Sequence, residues 1–279
     1  VDKLKVKENI HRTEDRKIAG TTGAIPIRLY HPRDNKPGEK MPILVWYHGG
    51  GFVIGDLDTH DSACRMLANA GDCIVVAVDY RLAPEYKFPC AVEDCEAALK
   101  WVALHAPEFG GDNSRIALGG DSAGANLATV VAILARNAAH PKIAFQLLIY
   151  PCVAPEPDTP SHRKFAEGYL LTRNTITWFY KHYLRTAKDE GDFRFAPLVA
   201  DDLSNLPPAL VLVAGYDPLR DEGMQYAQRL IEAGNSVRLV NYEGMIHGFL
   251  LMGGAVEGAK RAVAESAEML RAAFATARA

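Results

Sequence analysis

Short apolar runs along this chain alternate with segments whose apolar residues recur at helical spacing. Ile25–Tyr30 alternates apolar and polar positions and predicts an early, partly exposed strand. Ile43–Tyr47, Ile74–Val78 and Phe145–Ile149 are continuous apolar runs, the pattern of strands buried on both faces of a sheet. Ile116–Leu118, Leu210–Val213 and Val237–Val240 predict three more. Helical stretches fall between them at Asp61–Ala70, Ala91–His105, Ala123–Arg136 and Glu222–Ala233, and a long alanine-rich helix closes the chain. Strand alternating with helix predicts an α/β fold, a mostly parallel central sheet flanked by helices.

From Cys152 to Arg194 the rhythm breaks. Pro155, Pro157 and Pro160 precede an aromatic, helix-like stretch around Trp178, Phe179, Tyr180 and Tyr183. An insertion between core strands that carries its own apolar surface predicts a small helical cap over a site, in residues 152–194. With no repeat and no low-complexity linker, residues 1–279 are expected to form a single domain around that insertion. Arg12, Arg16 and Lys17, set among Glu14 and Asp15, suggest a solvated mixed surface.

A net charge of −3 gives no footprint for nucleic acid or an anionic membrane surface. No apolar stretch reaches the ~18 residues of a membrane span, and the chain, which starts at Val1, opens on no signal-peptide pattern. Its five cysteines, Cys64, Cys73, Cys90, Cys95 and Cys152, show neither paired CxxC spacing nor an even disulfide framework. They are expected to be reduced, in a cytoplasmic setting.

Gly120-Asp121-Ser122-Ala123-Gly124 matches the G-x-S-x-G nucleophile elbow. The pattern alone arises by chance roughly once in ten chains of this length. Its weight comes from context, with a strand before it and a helix after it, and Ser122 is the candidate nucleophile. His48-Gly49-Gly50-Gly51 follows a buried strand, and consecutive glycines let peptide N–H groups face a cavity without interference from Cβ. Gly49 and Gly50, with the Ala123 N–H, are the expected donors to an oxyanion. His48 is expected to brace the loop rather than act as a base.

Serine needs a base that titrates near neutrality, and in this fold the order is Ser, then Asp or Glu, then His. Of the histidines that follow Ser122 late enough to serve, His162 and His182 fall in the insertion, whereas His247 follows the last strand in a glycine-flanked loop. His247 is the candidate base. The acid belongs on the loop after Leu210–Val213, where Asp217 precedes Pro218. Asp221 and Glu222 are rivals, although they open the next helix, where carboxylates suit the positive helix end.

Taken together, these residues resemble the hormone-sensitive-lipase-like carboxylesterases, the microbial family IV of the α/β-hydrolase superfamily. The likeness rests on HGGG at His48–Gly51, on Asp79-Tyr80-Arg81-Leu82-Ala83-Pro84-Glu85, and on GDSAG at Gly120–Gly124. It rests also on Asp217-Pro218-Leu219-Arg220-Asp221-Glu222 and on His247-Gly248-Phe249. It covers nearly the whole chain and implies a triad of Ser122, Asp217 and His247. It also implies short-chain ester substrates, no cofactor and a homodimer. Family members carry extra N-terminal cap helices, so residues 1–24 would be a remnant of that element. The Tyr80–Glu85 run is expected to brace the fold, with Arg81 paired to Glu85.

Hydrolysis of short- to medium-chain carboxylic esters through an acyl-enzyme is the leading expectation. An amidase or deacetylase could use the same triad. A non-catalytic small-molecule binding protein on this scaffold would be expected to lack the histidine that stands at 247. A metal-dependent hydrolase has no HExxH or clustered ligand spacing to support it.

Overall fold

The apolar runs become strands because both of their faces are covered. The computed structural model describes residues 4 and 6–277. The strands are β1 (Arg12–Ala19), β2 (Ala24–His31), β3 (Met41–Tyr47), β4 (Ile74–Val78), β5 (Gly111–Asp121), β6 (Phe145–Ile149), β7 (Ala209–Tyr216) and β8 (Val237–Ile246). They form one sheet in the order β1-β2-β4-β3-β5-β6-β7-β8. β1 and β2 are antiparallel additions, and every pairing from β4 to β8 is parallel.

The helices are α1 (Asp61–Gly71), α2 (Cys90–His105), α3 (Ala123–Ala138), α4 (Pro160–Lys164), α5 (Arg173–Tyr183), α6 (Arg220–Glu232) and α7 (Glu257–Thr276). Alternate side chains of β3 enter opposite layers. Ile43, Val45 and Tyr47 pack with α2, α3 and α6, while Leu44 and Trp46 pack with α1 and α7. All five are fully buried. Burial of each such side chain contributes about 1.5–3 kcal/mol, so no staple is needed to hold the sheet. The five cysteines are all unpaired. No described helix is long and apolar enough to cross a membrane.

Three strands run further than their apolar cores suggest. β5 continues through Gly119 and Gly120 to Asp121, β7 through Gly215 to Tyr216, and β8 through Gly244 to Ile246. Each therefore ends on the residue before a candidate catalytic side chain: Ser122, Asp217 or His247. Gly120 and Gly215, which obscure two of these strand ends in the sequence, permit close approach of backbone, and a Cβ on Gly215 would stand 2.1 Å from the carbonyl oxygen of Glu243.

One strand was not foreseen, and one pairing is corrected. The charged stretch around Arg12–Lys17, expected to be solvated surface, is an edge strand, β1, paired in register with β2. Its charges face solvent and only Ile18 is buried, so the apolar signal is a single residue. A cap remnant within residues 1–24 is thereby confined to the residues before Arg12, of which 1–3 and 5 lie outside the described residues. The described part packs on α1, where Ser62 Oγ donates to the Val6 carbonyl and Asn69 Nδ2 donates to Glu8.

Arg81 pairs with Asp94 rather than Glu85. Its Nε and Nη2 each lie 2.8 Å from one carboxylate oxygen of Asp94, which is 1% exposed, whereas Glu85 faces solvent. The Tyr80–Glu85 run is a turn, so spacing of four carries no helical meaning there, and the true partner sits on α2. Arg81→Ala would leave the buried Asp94 carboxylate without its counter-charge. The expected loss is about 3 kcal/mol of stability, read as a lower urea midpoint at unchanged slope.

Candidate active site

Ser122 stands at the sharp turn from β5 into α3 with φ 55° and ψ −120°, a left-handed conformation that costs a serine energy. The turn is held because its neighbours leave no alternative. The Ser122 N–H donates to the Ile149 carbonyl at 2.9 Å, and a Cβ on Gly124 would lie 1.9 Å from the Tyr47 carbonyl oxygen. The hydroxyl is thereby presented at the C-terminal edge of the sheet, where ligands meet open α/β sheets.

The three side chains expected to act together do meet. His247 Nε2 is 3.0 Å from Ser122 Oγ, and His247 Nδ1 is 2.7 Å from Asp217 Oδ2. Asp217 is fully buried, and its other oxygen accepts the Leu219 N–H at 2.9 Å. Tyr150 packs its ring 4.7 Å from the imidazole, fixing the plane of His247 from the end of β6.

The rivals are occupied elsewhere. Asp221 accepts the Ser161 N–H, and Ser161 Oγ donates to the Pro218 carbonyl. Glu222 Oε1 accepts the N–H groups of Val153 and Ala154, while its Oε2 lies 3.2 Å from His162 Nε2. Both carboxylates thus fasten the inserted segment to the start of α6, directly after the loop that carries Asp217. His182 sits on the exposed side of α5, with Nδ1 donating to the Trp178 carbonyl.

The glycine loop departs from expectation at one residue. The Gly49 N–H, expected to face the cavity, donates instead to Asp121 Oδ1 at 3.0 Å. Gly50 and Gly51 both adopt positive φ, and their N–H groups have no hydrogen-bond partner among the described residues. The Ala123 N–H opens α3 and has no partner within the helix. Free donors at this site are therefore Gly50, Gly51 and Ala123. The triple glycine announced the loop but not which peptide turns inward, because that depends on Asp121 across the fold. His48 does brace the loop: its Nδ1 donates to the Gly49 carbonyl at 2.7 Å, and Tyr80 stacks on its ring and donates to its carbonyl. Burial pulls His48 down to about 4, with the His60 charge adding to the effect, so it is neutral near pH 7.

These groups line a cavity of about 460 Å³, within the range of small-molecule sites. Its walls are apolar. Leu170, Leu171, Ile176 and Phe179 come from the inserted segment, and Ile54, Leu219 and Leu251 from the scaffold. The inserted segment therefore roofs the site. No described residue before Gly49 lines it. Phe179 lies directly on the glycine loop, and a Cβ on Gly51 would stand 2.2 Å from its ring. Cys152 also reaches the cavity, but burial, with the Glu222 charge, pushes its thiol well above the ordinary range, so it offers no competing thiolate. Among the described residues no group of three or more His, Cys, Asp or Glu side chains is placed to hold a metal ion.

A family model described as the α/β-hydrolase fold matches residues 44–251. The carboxylic ester hydrolase LipN of Mycobacterium tuberculosis is 47% identical over 254 residues, 88% of this chain and 67% of that protein. The chain belongs to the hormone-sensitive-lipase-like carboxylesterases. Within that family, an ethyl acetate hydrolase of Pseudomonas putida is 40% identical over 250 residues, 88% of this chain and 78% of that protein. A solved esterase of the archaeon Pyrobaculum calidifontis superposes with a TM-score of 0.93 at 45% identity, covering 97% of this chain and 87% of that one. Family membership fixes the α/β-hydrolase architecture and the class of enzyme, a carboxylic ester hydrolase.

Proposed function

We propose that this protein hydrolyses carboxylic esters of short to medium acyl chain through an acyl-enzyme formed on Ser122. The hydrogen-bonded series Ser122–His247–Asp217, at the floor of an apolar cavity with free peptide donors beside it, is the observation that carries the reading. Ser122 Oγ attacks the ester carbonyl as His247 Nε2 takes its proton. Asp217 Oδ2, accepting from Nδ1, holds the productive tautomer and stabilises the imidazolium without itself taking the proton. Gly50, Gly51 and Ala123 N–H groups receive the negative oxygen of the tetrahedral intermediate. His247 returns the proton to the departing alcohol, and water repeats the sequence on the acyl-enzyme.

The substrate class follows from the walls. An apolar roof with few polar groups suits an aliphatic acyl or alcohol portion and offers no counter-charge for an ionic one. Initial rates on p-nitrophenyl esters of rising acyl length, beside a p-nitroanilide, test both class and reaction. Fast turnover of short esters with little on the anilide supports the proposal, and a preference for the anilide replaces it with an amidase. Phe179→Ala should open space beside the glycine loop and raise the ratio of long- to short-chain kcat/KM about tenfold. A reducing, cytoplasmic setting is supported by the five unpaired cysteines. A homodimer, implied by the family resemblance, belongs to the same proposal, and light scattering reads it directly.

A further inference from the structure

Asp121 precedes the candidate nucleophile, yet its carboxylate turns away from the triad and toward the His48–Gly51 loop. It is 3% exposed; Oδ1 accepts the Gly49 N–H at 3.0 Å and lies 3.2 Å from His60 Nε2. The approach depends on glycine, since a Cβ on Gly49 would stand 2.5 Å from Asp121 Oδ2. His60, 5% exposed, sits just before α1 with Nδ1 3.1 Å from Thr59 Oγ1. The Thr59 hydroxyl donates its own proton to the Asp56 carbonyl at 2.8 Å. His60 Nε2 thus shares the Asp121 carboxylate with the Gly49 N–H, which itself lies 3.3 Å from Nε2.

Burial alone would raise the Asp121 carboxyl, but the charge and hydrogen bond of His60, with the Gly49 N–H, outweigh it and hold the group below its ordinary range. His60, with Nε2 3.2 Å from Oδ1, is the side chain that faces this carboxylate. Tyr150 faces the same carboxylate, its phenol kept protonated by burial and by the charges of Asp121 and Asp217.

We propose that Asp121 and His60 are positioning residues that set the oxyanion loop against the nucleophile. Through Gly49, the carboxylate ties the loop to the residue preceding Ser122, which fixes the Gly50 and Gly51 N–H groups relative to Oγ. His60, held against the same carboxylate oxygen, offsets a buried negative charge that would otherwise oppose the oxyanion formed nearby, where little solvent screens it. The proposal rests on the serine-esterase reading.

Steady-state kinetics on p-nitrophenyl acetate for His60→Gln, Asp121→Asn and the double variant test it, with Ser122→Ala alongside and folding checked by circular dichroism. His60→Gln should lose about 100-fold in kcat at nearly unchanged KM, because an uncompensated carboxylate remains. Asp121→Asn should lose about tenfold, since its amide oxygen can still accept the Gly49 N–H. The double variant should recover to the level of Asp121→Asn, making it more active than His60→Gln alone. Losses that simply multiply, or a folded His60→Gln with wild-type kcat, would overturn the proposal. Should His60→Gln fail to fold, the double variant against Asp121→Asn carries the comparison: equal kcat supports the pair, and a further tenfold loss refutes it. An active Ser122→Ala would sink the serine-esterase reading itself. An inactive Ser122→Ala with undiminished His60→Gln would sink only the positioning role.

Discussion

Replacing Ser122 by alanine should lower kcat on a p-nitrophenyl ester by roughly 10⁵- to 10⁶-fold, to the residue left by binding and the peptide donors. The fold should not change with it. Among the described residues the Ser122 side chain has one hydrogen-bond partner, His247 Nε2, and the elbow is held by backbone contacts and by the close packing of Gly124 on β3. An unchanged unfolding midpoint beside lost turnover separates a missing nucleophile from a damaged protein. A modest loss, tenfold or less, would mean that another group attacks the ester.

Asp217→Asn should cost about 10⁴-fold in kcat with little change in KM, for a reason specific to this loop. The Leu219 N–H donates to Asp217 Oδ1 at 2.9 Å. An asparagine there keeps that bond only by placing its amide oxygen on Leu219, which turns its NH₂ toward His247 Nδ1. The imidazole must then accept at Nδ1 and carry its proton on Nε2, the nitrogen that should receive the proton of Ser122. The base is blocked by tautomer, while its geometry stays intact. Asp217→Ala removes the orienting group without imposing the wrong tautomer and should be less damaging. Equal activity for the asparagine variant and wild type would show that Asp217 holds structure only.

How much of this was legible in the sequence depended on whether a feature was local. The candidate nucleophile, base and acid could be brought to one site because each follows the end of a strand whose apolar run is continuous, and strand order fixes their order in space. The ends themselves were under-read. Gly120 and Gly215 interrupt the apolar pattern at the points where backbone must approach backbone, so strand signal fades as the geometry of the site begins. β1 was missed for the opposite reason, since an edge strand with one buried residue needs no apolar pattern beyond Ile18.

Partners brought together across the fold were not readable. Arg81 has Asp94 rather than Glu85 because the Tyr80–Glu85 run is a turn, which spacing could not reveal. The Gly49 N–H is taken by Asp121, whose place between Gly120 and Ser122, at the end of a buried strand, was the available signal of an unusual carboxylate. Asp221 and Glu222 were credited with suiting a helix end. Their larger task is to fasten the inserted segment to the start of α6, beside the Asp217 loop, through Ser161, Val153 and Ala154. The roof of the cavity and the acid of the triad therefore share one anchor, and only the folded structure displays it.

The central claim is that Ser122 becomes covalently acylated. Intact-mass measurement after treatment with a p-nitrophenyl phosphonate, a reagent that leaves a stable tetrahedral adduct on an activated serine, tests it most directly. One adduct per chain is predicted, located on the peptide that contains Ser122, matched by complete loss of esterase activity and absent from Ser122→Ala. An adduct on Cys152 or on any other residue, or full inactivation with no adduct on Ser122, would contradict the account.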